Sequence, residues 1–285
     1  MYTQSITRSQ RAAFVILIDA SGSMSEEIIF RGRHRTKAEA VASITNDLLF
    51  ELIERAHRDD GVRDYYDVAI VGYSGSDEVY SLLGEKIEMT SIKELAQRPC
   101  EIHREVVELR LPDGGVSLRE IPTPQWVKPH AVGQTPMCEA LRVARDLVDE
   151  WCRDPCHVDS FPPVVFNITD GEATDCNDEE LKAVAQQIKD LSTSDGNALL
   201  INIHLAPDTT ASSLFFPSKE EQHYPNRYAG VLWECSSEMP QNFNDAIREA
   251  KGYQAMPPFR GMSFNASVAE LITMLNIGSI SVKTE

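Results

Sequence analysis

Three oxygen-bearing side chains follow the first apolar run of this chain at alternate positions. The run 14–18 is typical of a buried parallel strand, and Asp19, Ser21 and Ser23 come directly after it. One carboxylate and two hydroxyls on a single loop form a ligand set that suits a hard divalent cation such as Mg²⁺. The same Asp-x-Ser-x-Ser pattern is also typical of a helix N-cap followed by turn serines, so the motif alone leaves both interpretations open.

Further oxygens come from two later segments. Thr135 stands in a Gly-Gln-Thr-Pro run just before a helical pattern, and Asp170 follows a second apolar strand pattern, Val164–Thr169. Ligands of open parallel sheets bind beyond the carboxyl ends of the strands, where Asp19 and Asp170 are both expected. The three segments together therefore favour a metal site over a simple helix cap.

The order Asp-x-Ser-x-Ser, Gly-x-Thr-Pro and Thr-Asp-Gly resembles the von Willebrand factor A (vWA) domain family over about residues 11–277. The resemblance implies a metal-ion-dependent adhesion site, whose ligand set would be Asp19, Ser21, Ser23, Thr135 and Asp170. It also implies that the hydroxyls bind Mg²⁺ directly, that the aspartates act mostly through water, and that a partner's Asp or Glu completes the shell. An oxygen-only shell would also accept Mn²⁺ or Ca²⁺.

Within that family, the runs around the three segments resemble those of bacterial stand-alone cytoplasmic members of the tellurium-resistance type. This resemblance implies a scaffold or adaptor in a stress or defence signalling system. The expected partner is a protein that offers a carboxylate, such as a kinase, a phosphatase or an AAA+ ATPase.

The acidic composition argues against nucleic acids and membranes as partners. A net charge of −17 over 285 residues disfavours nonspecific binding to nucleic acid and docking on anionic lipid. The apolar runs are far shorter than the roughly 20 residues of a transmembrane helix, and no signal-peptide pattern is visible near Met1. We therefore expect a cytoplasmic protein.

Apolar runs alternate with helical patterns along the chain, which predicts an α/β fold with a doubly wound, mostly parallel sheet covered by helices. The family resemblance makes this a Rossmann-like vWA fold, expected as a single domain over 1–285. Strands are predicted at 12–18, 67–73, 78–83, Val164–Thr169, 198–205 and 230–234. Helices are predicted at Lys37–Ala56, 136–151, 178–191 and 268–275, and an irregular segment at 207–228.

An inserted segment at about 84–130 is long for a connection between an edge strand and the Thr135 loop. Within it, alternating residues at 105–111 and 116–121 around a Pro-Asp-Gly-Gly turn predict a β-hairpin. The hairpin either pads the edge of the sheet or forms part of a binding rim.

A basic cluster stands between the Asp-x-Ser-x-Ser motif and the first helix, and it contains Arg31, Arg33 and Arg35. These arginines are expected near the metal, either as a clamp for an acidic or phosphorylated partner segment or as part of a solvated loop. Glu172, which follows the Thr-Asp-Gly run, is a further candidate for contact with the partner.

Enzyme signatures are incomplete in this chain, and we expect no catalytic residues. Ser21 stands where haloacid-dehalogenase phosphatases carry a second aspartate, no phosphate-binding P-loop occurs, and the run around Ser74 departs from the nucleophile elbow. The alternative function is a metal-dependent phosphohydrolase in the same pocket, with Glu172 or Asp175 as accessory base. A structural domain with a vestigial site is the other alternative.

The cysteines allow a zinc site as an alternative interpretation. Cys152, Cys156 and His157 have a zinc-like spacing but lack an evident fourth ligand. Free thiols in a reducing compartment are the favoured interpretation.

Overall fold

A computed structural model describes residues 2–110, 116–205, 213–221 and 224–280 of the chain. The strands are β1 (Ala12–Asp19), β2 (Glu27–Phe30), β3 (Arg33–Thr36), β4 (His57–Arg58), β5 (Gly61–Val62), β6 (Tyr66–Ser74), β7 (Glu78–Ser81), β8 (Thr90–Ser91), β9 (Glu101–Arg110), β10 (Val116–Gln125), β11 (Val164–Thr169), β12 (Ser192–Thr193), β13 (Gly196–Asn197), β14 (Leu199–Leu205), β15 (Leu214–Phe215) and β16 (Met262–Ala266). The helices are α1 (Lys37–Ala56), α2 (Ile92–Gln97), α3 (Met137–Arg153), α4 (Asp178–Asp190), α5 (Arg227–Cys235), α6 (Asn244–Lys251) and α7 (Val268–Ile280).

The main sheet has eight strands in the order β15-β16-β14-β11-β1-β6-β7, with β8 also paired to β6. The five inner strands are parallel, and the short strands β7, β8 and β15 are antiparallel at the edges. Because β1 and β11 are parallel neighbours, Asp19 and Thr169 mark the same edge of the sheet. The predicted α/β class with a doubly wound, mostly parallel sheet is confirmed.

Alternate residues of the central strand β1 pack into two different hydrophobic cores, one on each face of the sheet. Phe14, Ile16 and Ile18 of β1 pack into the core shared with α1 and α7. Val15 and Leu17 pack into the core shared with α3, α4 and α5. Side chains alternate across a strand, so a strand covered on both faces must be apolar at every position. This is why β1 has the continuous apolar run seen in the sequence.

One predicted strand is wrong. Residues 230–234 lie in α5, which begins after Asn226, whose side chain accepts a hydrogen bond from the Ala229 amide at 2.9 Å. A short apolar run cannot by itself distinguish a strand from a buried helical turn. The corresponding strand is β16, where polar Ser263 and Asn265 interrupt the apolar pattern.

The basic cluster and the inserted segment each form an antiparallel hairpin outside the main sheet. The basic cluster forms the hairpin β2–β3, in which Phe30 pairs with Arg33, rather than a loop. Strands β9 and β10 pair from Glu101 with Gln125 to Arg110 with Val116, which extends the predicted hairpin toward its base. The predicted turn at 112–115 lies outside the described residues, as do 207–212 and 222–223 of the predicted irregular segment.

No helix in the described part of the chain combines the length and the apolar character that a membrane span requires.

Candidate metal centre

Asp19 is buried at the end of β1, and both of its carboxylate oxygens are occupied. Oδ1 accepts a hydrogen bond from the Ser21 amide at 2.8 Å, and Oδ2 accepts one from the Thr169 hydroxyl at 2.7 Å. Burial raises the pKa of the Asp19 carboxyl above its usual value. The carboxylate therefore shapes the loop that carries the two serines and ties it to the end of β11.

The serine hydroxyls and Asp170 form one continuous chain of hydrogen bonds. The hydroxyl oxygens of Ser21 and Ser23 lie 3.1 Å apart, and the Ser23 hydroxyl donates to Oδ1 of Asp170 at 2.6 Å. Ser21 precedes a short 3₁₀ turn, Gly22–Ser25, which contains Ser23. Residues far apart in the chain are thus brought together at one edge of the sheet.

The loop that follows β11 holds Thr135 through hydrogen bonds to Thr174. The Thr135 amide donates to the Thr174 hydroxyl at 3.1 Å, and the Thr135 carbonyl accepts from the Thr174 amide at 3.0 Å. A methyl group built on Gly171 would lie 3.6 Å from the Thr135 hydroxyl oxygen. The Thr135 hydroxyl therefore lies next to the backbone that directly follows Asp170.

Lys37, which belongs to none of the three motifs of the candidate metal site, places a cation beside Asp170. Its ammonium lies 2.7 Å from Oδ2 of Asp170 and 2.7 Å from Oε2 of Glu26, and its side chain is 2% exposed. Lys37 is the first residue of α1, whose start is fixed by a capping box between Thr36 and Glu39. A lysine one turn before Val41 on the buried stripe of a helix was the available signal.

The donor atoms fit a hard divalent ion. Ser21, Ser23, Thr135 and the two aspartates offer hydroxyl and carboxylate oxygens, which are the ligands that Mg²⁺ prefers. Among the described residues, no group of three or more His, Cys, Asp and Glu side chains is arranged to hold a metal ion. Hydroxyls would therefore have to supply much of the protein's share of the coordination shell.

The candidate arginines differ in their partners. Arg31 lies 2.5 Å from Asp47, and Arg35 lies 3.4 Å from Glu39, in pairs that are largely exposed. No ion pair of Arg33 occurs among the described residues. These arginines line a groove between the two hairpins, and its described lining includes none of the candidate metal ligands.

The two carboxylates considered as accessory bases are both engaged. Glu172 pairs with Arg227 at 3.1 Å in an exposed ion pair. Asp175 accepts hydrogen bonds from the amides of Cys138 at 3.1 Å and Glu139 at 2.8 Å. Asp175 thus caps the first turn of α3, directly after the Thr135 loop, and both of its oxygens serve that purpose.

The zinc-like residues have other contacts. The His157 ring stacks on Trp151 with centroids 4.0 Å apart, and its Nδ1 lies 3.0 Å from the Trp151 carbonyl oxygen. Burial raises the pKa of the Cys152 thiol to about 12, which disfavours the thiolate that zinc requires.

His204 lies within β14, as predicted, and is buried. It stacks on Phe264 with ring centroids 4.2 Å apart, and its Nδ1 accepts a hydrogen bond from the Asn265 amide at 3.3 Å. Burial lowers the pKa of His204 to about 4 from a usual value of 6.5. The folded protein therefore holds a neutral imidazole across a pH range in which the unfolded chain takes up a proton.

We expect the free energy of unfolding to fall as the pH drops from about 6.5 toward 4, and part of this dependence to vanish in His204→Phe. The sign follows because the unfolded state binds the extra proton in this window. Urea unfolding at several pH values would measure the slope. An unchanged slope in His204→Phe would contradict the assignment.

No family model matches the chain, and no curated protein matches it. The chain is similar to a solved von Willebrand factor type A protein from Catenulispora acidiphila, with 17% identity and a TM-score of 0.40 over 69% of this chain and 33% of that one. It is also similar to the vWF domain of the type V pili tip protein Mfa5 from Porphyromonas gingivalis, with 14% identity and a TM-score of 0.34 over 57% and 39% of the two chains.

A third similar structure is an aerotolerance-related membrane protein from Bacteroides fragilis with multiple mutations to serines. Its identity is 13% and its TM-score 0.36, over 79% of this chain and 86% of that one. The chain spans about a third of the Catenulispora protein and well under half of the solved Mfa5 domain chain.

Proposed function

We propose that this chain is a vWA-type protein-binding module that depends on a divalent metal ion. Ser21, Ser23 and Thr135 would hold Mg²⁺ through their hydroxyls, with Asp19 and Asp170 contributing charge, mostly through water. When bound, the ion supplies an open coordination position for a carboxylate of a protein partner. The observation that carries the proposal is the hydrogen-bonded chain from Ser21 through Ser23 to Asp170.

The character of the ligands supports binding over catalysis. Neutral hydroxyls leave the ion more positive than carboxylate ligands would, which favours capture of a further carboxylate. The alternative phosphohydrolase would need a free base, whereas both oxygens of Asp175 are bound to the backbone of α3 and Glu172 is paired with Arg227. A vestigial site would retain the same folded geometry without affinity for metal.

The wider setting that we propose is bacterial stress or defence signalling in the cytoplasm. The expected partner is a kinase, a phosphatase or an AAA+ ATPase with an exposed Asp or Glu. The net charge of −17 supports a protein partner over nucleic acid or an anionic membrane. The same oxygen ligands would also accept Mn²⁺ or Ca²⁺ in place of Mg²⁺.

Calorimetric titration of metal-free protein with Mg²⁺, with and without saturating acetate as a carboxylate probe, tests the proposal. We expect Ser23→Ala and Thr135→Val to weaken Mg²⁺ binding by at least about tenfold, since removing a metal-site group typically costs that much or more. Acetate should strengthen binding to the wild type.

Ser25→Ala is the matched control for Ser23→Ala. Ser25 lies in the same 3₁₀ turn, but its hydroxyl donates to the Gly22 carbonyl at 2.7 Å and lies outside the candidate ligand set. This variant should bind Mg²⁺ like the wild type. Wild-type protein that binds no Mg²⁺ even with acetate, or equal binding by Ser23→Ala, would refute the proposal.

A further inference from the structure

The groove between the β2–β3 and β9–β10 hairpins, here called the basic groove, is a cavity of about 860 Å³. Its walls are the β2–β3 hairpin, α1 and the base of the β9–β10 hairpin. Its polar lining includes Arg31, Arg33, Arg35, Arg104 and Gln125, together with one carboxylate, that of Glu39. The groove concentrates arginines in a chain whose net charge is −17.

Strand alternation directs the arginines of β3 to this side of the hairpin. Arg33 and Arg35 line the basic groove, while His34 between them lines a second cavity on the other side. Successive side chains of a strand point to opposite faces, so the Arg-His-Arg spacing places both guanidinium groups on one wall. The positive charges of Arg33 and Arg35 therefore both lie along the groove.

Existing ion pairs leave this charge available to a ligand. Arg35 pairs with Glu39 and Arg104 with Glu120, both at 3.4 Å and both exposed. Exposed pairs of this kind contribute between about 0 and 1 kcal/mol, so an incoming anion can replace them at little cost. Arg33 has no ion-pair partner within the described residues, and it is the guanidinium most ready to accept an anion.

The opposite wall is held rigidly by α1. The Asn46 side-chain oxygen accepts hydrogen bonds from the amides of Trp126 at 2.8 Å and Val127 at 2.9 Å. Its amide group donates to the side chain of Gln125 at 2.8 Å. These contacts fix the strand that returns from the β9–β10 hairpin, so Gln125 and Val127 of the groove wall are positioned before a ligand arrives, which lowers the entropic cost of binding.

We propose that the basic groove binds an anionic segment of a protein partner through Arg33, Arg35 and Arg104. Guanidinium groups bind carboxylates and phosphates with two parallel hydrogen bonds, which is the chemistry that a cluster of arginines offers. Acidic side chains and phosphorylated residues share this chemistry. This binding is separate from the proposed metal site, because none of the candidate metal ligands lines the groove.

Fluorescence anisotropy with a short labelled Glu-rich peptide, measured in EDTA, tests this inference independently of the metal. The wild type should bind the peptide and should not bind its Gln-for-Glu counterpart. Arg33→Gln should weaken binding roughly tenfold, the size expected for losing one hydrogen-bonded ionic contact. A third peptide that carries phosphoserine separates phosphate recognition from carboxylate recognition.

Arg145→Gln is the matched control, since it makes the same change in net charge. Arg145 lies on α3 and pairs with Asp146 at 2.7 Å, and the described lining of the groove does not include it. This variant should bind like the wild type. The inference fails if neither anionic peptide binds, if the Gln peptide binds equally well, or if Arg33→Gln behaves like Arg145→Gln. Stronger, Arg33-dependent binding of the phosphopeptide supports it, with phosphate as the preferred anion.

Discussion

Replacing Lys37 with methionine is expected to convert a fold that is stable without metal into one that depends on a divalent ion. The Lys37 ammonium lies 2.7 Å from Asp170, and the two side chains are 2% and 0% exposed. Methionine keeps the length of the side chain but leaves the Asp170 carboxylate buried without its cation. Breaking a buried ion pair in this way costs about 3–5 kcal/mol of stability.

Mg²⁺ should restore most of the stability lost in Lys37→Met, because a ligand that binds the folded state stabilises it. The same variant should bind Mg²⁺ more tightly than the wild type, since a positive charge next to the proposed site has been removed. Urea unfolding in EDTA and in millimolar Mg²⁺, together with calorimetric titration, would measure both effects.

Lys182→Met is the charge-matched control. Lys182 lies on α4 and pairs with Glu234 of α5 at 2.8 Å, so the variant removes the same charge without breaking the ion pair of Asp170. It should change neither the Mg²⁺ affinity nor the dependence of stability on metal. A Lys37→Met protein that is as stable as the wild type in EDTA would contradict the role of the ion pair. A stability loss that Mg²⁺ does not reverse would show that the ion cannot replace the lysine.

Gly133→Ala is expected to destabilise the protein and to displace the Thr135 loop. Gly133 has a φ of +86°, and an added methyl group would lie 2.6 Å from the Gly75 amide nitrogen and 2.8 Å from the Gly75 Cα. The loop is fixed there because the Gly133 carbonyl accepts from the Gly22 amide at 2.9 Å. The left-handed conformation and the clash together should cost about 2–4 kcal/mol.

Gly32→Ala separates the clash from the backbone strain. Gly32 has a φ of +74°, but no atom lies within 4 Å of the position that its Cβ would take. It should lose only about 1 kcal/mol, and its Mg²⁺ binding should match that of the wild type. Urea unfolding and Mg²⁺ titration of both variants check the comparison. Equal losses of stability in the two variants would mean that contact with Gly75 does not position the Thr135 loop.

Local patterns in the sequence determine the central strands and the first long helix of this protein. The continuous apolar runs predicted β1 and β11, because strands buried on both faces must be apolar at every position. The periodic apolar stripe of α1 predicted its observed bounds, Lys37–Ala56. Each candidate metal residue likewise stands in a short motif beside a predicted element, which is β1 for Asp19, Ser21 and Ser23, α3 for Thr135 and β11 for Asp170. The motifs and the topology together place Asp19 and Asp170 at one edge.

The tertiary structure decided the features that join distant segments. The pairing of Lys37 with Asp170 joins residues that are 133 positions apart, and an ion pair between such distant residues has no periodic signature in the sequence. Asn46, which holds the returning strand at Trp126, reads locally as an ordinary polar residue of a helix.

Local propensity was misleading where elements are short. The run in α5 and the strand β16 have similar apolar content, but it is β16 that pairs with β14 and extends the sheet. The basic groove also arises from packing, because it exists only where two separate hairpins face one helix. The sequence by itself therefore determined the central strands and indicated the candidate ligands, whereas the ion pair of Lys37 with Asp170 and the basic groove followed from contacts that the folded chain alone creates.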